Sequence, residues 1–196
     1  MILTTAMLKE KLKNYQDPAG KISRMCKEGE IFKLTRGVYE TDRNTPGYCL
    51  APVIYGPSYL SFDYALSRYG LIPEAVYTFT SATCDKKKKK NYENTFGIFS
   101  YQDVPLRAYP FGIQVLTEGD YVYRIATPEK AICDKIYTIS PVGSVKALEE
   151  LLFEDLRIDS SEFDNLNKGD LIRLCDLYNT SNHKLLKKKL EGSRRG

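Results

Sequence analysis

The chain has 196 residues, 42% of them hydrophobic and 28% charged, with a formal net charge of +4; this is the composition of an ordinary globular protein and excludes a disordered or fibrous one. Its longest apolar runs, such as Cys49 to Tyr55, fall well short of the roughly 20 residues a membrane-spanning helix needs. The opening Met-Ile-Leu-Thr-Thr-Ala-Met lacks the basic flank and long apolar stretch of a secretory signal, so a cytoplasmic protein without membrane contact is expected.

In chain order, Leu8, Leu12 and Tyr15 share one helical face and predict a first helix over residues 4–15. Asp17-Pro18 supplies a cap and a first-turn proline for a second helix, which Gly29 ends. Residues 30–34 and Val38-Tyr39 flank Thr35-Arg36-Gly37, the pattern of a β-hairpin. Helix, turn, helix, hairpin is the order of a winged helix-turn-helix head, assigned to residues 1–44. The polar stretch 41–48, with Pro46 and Gly47, reads as a linker. Beyond it, a helix is expected over 61–69 and strands over 77–82, 96–102, 113–116 and 121–125. Helices over 128–137, 144–154, 168–178 and 183–191 follow. Strands gathered before a run of helices indicate a mixed α+β domain over residues 45–196.

The charge is uneven. Residues 1–36 hold eight Lys or Arg against four acids, and residues 184–196 hold six against one, so the middle is acidic. Basic ends suit a polyanionic partner, though they also serve as solubilising tails. On the second helix Ile22, Met25 and Cys26 share an apolar face, while Lys21, Arg24 and Glu28 sit at i, i+3, i+7 on another, with Lys27 beside them. Cations on the second helix of a helix-turn-helix reach guanine edges or phosphates, and Lys33 and Arg36 on the hairpin could press on the phosphate backbone. Lys86 to Lys90 is either a further phosphate-binding loop or a solvated hairpin tip.

Catalytic signals are sparse. There is no Gly-rich phosphate loop, no metalloprotease motif and one histidine, His183. The five cysteines are scattered, with no Cys-x-x-Cys pair, which suits neither a zinc site nor a disulfide framework; no metal and no cofactor are expected. Thr127-Pro128-Glu129-Lys130 reads as a helix start, and Lys130 with Asp134, one turn apart, reads as a salt-bridged surface pair.

Tyr55-Gly56-Pro57-Ser58-Tyr59-Leu60-Ser61-Phe62, then Tyr69-Gly70-Leu71-Ile72-Pro73-Glu74, with Arg36-Gly37-Val38-Tyr39 ahead and Ala126-Thr127-Pro128-Glu129-Lys130-Ala131 behind, resembles the AbiEi antitoxins of type IV toxin–antitoxin abortive-infection systems over about residues 5–140. The resemblance implies a winged-helix head that represses its own operon at inverted repeats and a C-terminal domain that opposes a nucleotidyltransferase-like toxin, with or without direct binding. By matching position it puts Lys21, Arg24, Lys27, Lys33 and Arg36 at the DNA. It makes Tyr55, Gly56, Pro57, Ser58, Ser61, Glu129, Lys130 and Asp134 the antitoxin-domain motif. Two alternatives stand beside this reading: an interaction module that neutralises the toxin without binding DNA, and an enzyme built on Ser58, Lys130 and Asp134.

Overall fold

The first forty residues close around their own small core. In the structure, a computed structural model that describes residues 1–192, strand β1 (Ile2–Thr4) is followed by helices α1 (Thr5–Lys11) and α2 (Pro18–Glu28) and strands β2 (Phe32–Thr35) and β3 (Val38–Glu40). Local chemistry sets the ends of α2: the Asp17 carboxylate accepts from the Gly20 N–H, and Gly29 closes the helix in the left-handed region at φ 75°, where a missing Cβ removes the steric penalty. Strand β3 lies between β1 and β2, antiparallel to both. Leu3, Leu8, Ile22 and Ile31 are buried together, with Leu12, Met25, Cys26 and Tyr39 packed around them.

The segment expected as a linker is structured instead. Thr45 and Gly47 are buried, and helix α3 (Gly47–Ile54) starts immediately after Pro46. The Pro-Gly pair is thus a helix entry. A Cβ on Gly47 would sit 2.3 Å from the Phe79 ring and 2.6 Å from the Phe96 carbonyl oxygen, so only glycine lets the chain pass. Head and body meet through ordinary packing: Leu34 belongs to the large core, Phe32 stacks edge-on to Phe96, and the Asn94 amide donates to the Leu34 carbonyl at 3.1 Å.

The body is a mixed α+β unit. Strands β4 (Tyr59–Leu60), β5 (Thr78–Thr83), β6 (Lys90–Asn94), β7 (Gly97–Asp103), β8 (Ile113–Glu118) and β9 (Tyr121–Ala126) form one sheet in the order β6-β7-β5-β4-β9-β8. The β4–β9 and β5–β7 pairs are parallel and the rest antiparallel. Helix α4 (Phe62–Arg68) follows β4, and α5 (Pro128–Tyr137) follows β9. Helix α6 (Val145–Glu150) runs on into a π-helical turn, Leu151–Asp155, ahead of α7 (Ser160–Asp164), α8 (Lys168–Tyr178) and α9 (Ser181–Gly192). The core gathers Leu50, Leu66, Phe99, Ile125, Ile132, Leu152, Leu171 and Leu186 from these elements. Residues 193–196, the end of the expected basic tail, lie outside the described residues.

Two further expectations need correction. Lys86–Lys90 is not a hairpin tip: β5 lies beside β7, not β6, so Lys86 to Lys89 cross the end of the sheet and Lys90 opens β6 opposite Tyr101. Asp103, at the end of β7, pins that crossing by accepting the Lys86 and Lys87 backbone N–H groups at 2.7 and 2.6 Å. Strands β4 and β6, unforeseen, are too short or too polar to show a period-2 apolar pattern. Among the described residues no helix is long and apolar enough to cross a membrane.

Candidate functional site

Two groups of sequence-selected residues are brought into local order by the fold. On the head, Arg24, Lys27, Lys33 and Arg36 are exposed, and none of them forms an ion pair among the described residues. Their side chains radiate from α2 and the β2–β3 hairpin while Ile22 and the residues beside it hold the core. Lys21 differs: it is half-buried and pairs with Glu30 at 3.6 Å. The four exposed cations, together with Lys9 and Lys11 of α1, which are likewise exposed and outside any ion pair among the described residues, raise the local potential and attract anions.

On the body, the two halves of the motif meet in the interior. Lys130 and Asp134 are not a surface pair; both are fully buried, with Nζ and Oδ1 3.3 Å apart. The i, i+4 spacing is compatible with either environment, and the packing of α8 and α9 over α5 decides for burial. The Lys130 ammonium donates to the Ala108 carbonyl at 2.8 Å and to the Tyr178 hydroxyl. The Asp134 carboxylate accepts from Ser61 Oγ at 2.6 Å, from the Tyr59 hydroxyl at 3.0 Å and from the Tyr178 hydroxyl. One ammonium and one carboxylate leave the cluster neutral, and three hydroxyls satisfy the carboxylate, the condition under which a buried pair is tolerated.

Neighbouring chain conformations are fitted to this cluster. Ser61 stands at the start of α4, but its hydroxyl is committed to Asp134, so Thr80 from β5 caps the helix instead. Thr80 Oγ1 accepts from the Tyr64 N–H at 3.0 Å and donates to the Ser61 carbonyl at 2.6 Å. Gly112 passes the Lys130 stem at φ 67°, where a Cβ would lie 2.8 Å from Lys130 Cβ. At the N-terminus of α5, Thr127 accepts from the Lys130 N–H at 3.3 Å, as its sequence position predicts. Glu129 reaches across to accept from the Asn167 N–H at 3.0 Å.

Burial sets the protonation behaviour. It pushes the Tyr59 and Tyr178 phenols well above their ordinary range, with Asp134 acting in the same direction, so both remain donors. Desolvation draws the Lys130 ammonium down while Asp134 opposes it. His183 stacks flat on Tyr178, centroids 4.3 Å apart. Its Nε2 lies 3.0 Å from the Cys133 carbonyl oxygen and its Nδ1 2.7 Å from Thr180 Oγ1. A carbonyl only accepts, so Nε2 carries the proton and Nδ1 accepts from the threonine. Burial, the largest influence, lowers the His183 pKa to about 4, and the imidazole is neutral at pH 7.

A carboxylate, an ammonium and two phenols in hydrogen-bond contact resemble acid–base machinery, but Ser61, Lys130 and Asp134 have no exposed surface and Tyr59 and Tyr178 almost none. A general acid or base must reach the proton it transfers. The cluster therefore acts as an internal clasp joining β4, α5 and α8, with His183 of α9 stacked against it. Ser58, the serine singled out beside Lys130 and Asp134 for catalysis, is not part of it: its buried Oγ has no hydrogen-bond partner among the described residues. Tyr55 packs against both the Tyr92 and Tyr101 rings, which also touch each other, after which Gly56-Pro57 turns the chain toward β4. Tyr178 and His183 escape sequence reasoning because a buried tyrosine or histidine on an amphipathic helix looks like any other core residue. No protein-family model matches the chain, and no curated protein matches its sequence.

Proposed function

We propose that the protein is an antitoxin and transcriptional autorepressor, whose head binds operator DNA and whose body counteracts a nucleotidyltransferase-like toxin. The observation that carries this reading is the head's set of exposed cations: Arg24, Lys27, Lys33 and Arg36, without ion-pair partners among the described residues, on the order strand, helix, helix, hairpin. Pairing of β1 with β3 supports a winged helix, with α2 as the groove-entering helix and the β2–β3 hairpin as the wing. The antitoxin half rests on the AbiEi-like motif, whose Ser61, Lys130 and Asp134 converge in the clasp that holds the body together. That convergence supports a structural role for these three motif residues; on this reading the surface that opposes the toxin is a different part of the body.

The test uses the full chain and a fragment of its own operon promoter. Four phosphate-neutralising cations predict a slope of log affinity on log salt of about −4 per protomer, falling to about −2 in Arg24→Ala with Arg36→Ala. An unchanged slope and affinity in that double variant would remove the head from the DNA contact. Growth rescue of toxin-expressing cells by the same variant separates the two activities: rescue without promoter binding means that the body neutralises the toxin independently.

A further inference from the structure

Across the solvent face of β9 from α3 runs a groove of about 360 Å³, lined by Pro52, Val53, Pro57, Ser58, Val122 and Arg124 among others. Two of its polar groups have no structural work. Ser58 is 2% exposed, yet its Oγ makes no hydrogen bond among the described residues, although buried hydroxyls are normally satisfied. Arg124 is exposed and forms no ion pair or hydrogen bond there either. The rest of the lining is aliphatic or proline apart from Tyr123, whose hydroxyl already accepts from Arg68 at 3.2 Å, and Val115, opposite Arg124 on β8, extends the apolar surface with 63% of its area open to solvent.

We infer that this groove is a binding site for an organic anion in which a single carboxylate is carried on a compact aliphatic body. The guanidinium fork matches the two oxygens of a carboxylate, the Ser58 O–H supplies a further donor, and Pro52, Val53, Pro57 and Val122 receive the aliphatic part. Arg124 is the one cation in the lining, which suits a monoanion better than a phosphate dianion. The volume lies within the range of small-ligand sites. A free aliphatic acid and the C-terminal residue of a polypeptide share this chemistry. The inference is independent of DNA binding by the head and gives the Pro57-Ser58 part of the motif a role that the clasp does not.

Neither polar residue supports the fold, so both can be changed in the intact protein. Amide chemical shifts of the full chain are followed during titration with N-acetyl-leucine, N-acetyl-leucinamide, inorganic phosphate, and a ten-residue peptide ending in a leucine carboxylate. Saturable shifts at Val53, Ser58, Val122 and Arg124 are expected with the acid, and binding about tenfold weaker with the neutral amide. Ser58→Ala and Arg124→Gln each weaken the acid roughly five- to tenfold, with thermal midpoints unchanged or, for Ser58→Ala, raised. A peptide that binds more tightly than the acid identifies a polypeptide terminus as the occupant; equal affinity identifies the small acid. No saturable shift, equal binding of the amide or of phosphate, or unaltered affinity in both variants would overturn the assignment.

Discussion

Replacing Asp134 by asparagine keeps the shape of the clasp and removes its charge. The Lys130 ammonium, fully buried, then keeps only the Ala108 carbonyl and the Tyr178 hydroxyl, while the Ser61 and Tyr59 hydroxyls compete for a weaker acceptor. Breaking a buried pair from one side costs about 3–5 kcal/mol, a large share of the roughly 5–15 kcal/mol that stabilises a typical domain. Lys130→Met is milder, about 2–3 kcal/mol, because Asp134 retains three hydroxyl donors. The double variant Lys130→Met with Asp134→Leu removes both charges and is expected within about 2 kcal/mol of the parent, far less than the sum of the single losses. Urea unfolding followed by circular dichroism, extrapolated linearly to water, measures all three. Should Asp134→Asn prove too unstable to purify, Ser61→Ala and Tyr59→Phe each remove one donor, at about 1–2 kcal/mol. Losses below about 1 kcal/mol for both single charge variants, adding to the double-variant value, would refute the clasp.

Acid should weaken the fold through His183. Its folded-state pKa of about 4 lies below the ordinary 6.5, so the unfolded chain takes up the extra proton; the contribution is complete above pH 6.5 and declines as the pH falls toward 4. At about 1.4 kcal/mol per unit this amounts to about 3 kcal/mol in full, of which about 2 kcal/mol falls between pH 7 and 5, read as the change in the difference between parent and His183→Gln in urea titrations at pH 7, 6 and 5. Parallel pH profiles of the two proteins would show that the imidazole is not held neutral. Gly112→Ala meets both a left-handed backbone and the Lys130 stem, and should lower stability by about 2–4 kcal/mol in the same assay; a loss under about 0.5 kcal/mol would mean that this segment can move aside. Gly29→Ala, with the same handedness but no neighbour within 4 Å of its Cβ, should cost only about 1–2 kcal/mol, so that the difference between the two glycines isolates the contact with lysine.

Local chemistry was legible in the sequence wherever partners lie within a few residues. The Asp17 and Thr127 caps, the Gly29 helix stop and the β2–β3 hairpin around Gly37 are all such cases. Their hydrogen bonds close within three or four positions, so residue type and spacing suffice. The same holds for the mixed α+β order of the body and for helices α5 and α8, whose expected bounds agree with the observed ones.

Tertiary structure alone decided where Lys130 and Asp134 lie. Nothing in an i, i+4 pair distinguishes a solvated helix face from the interior, and the groups that make burial tolerable are Ser61 and Tyr59, more than seventy positions earlier, and Tyr178, more than forty later. Distance along the chain likewise hid the choice of Ser61 over Ser58, which depends on which serine the β4–α4 junction turns toward Asp134. Strand β6 is an edge strand, paired among the described residues with β7 alone, and only Tyr92 and Asn94 of it are partly buried, so its polar sequence carries little strand signal. The basic second helix was written in local periodicity, whereas the first stops at Lys11 rather than Tyr15 and leaves Tyr15 exposed; the neutral clasp was written in contacts that exist only once the chain has folded.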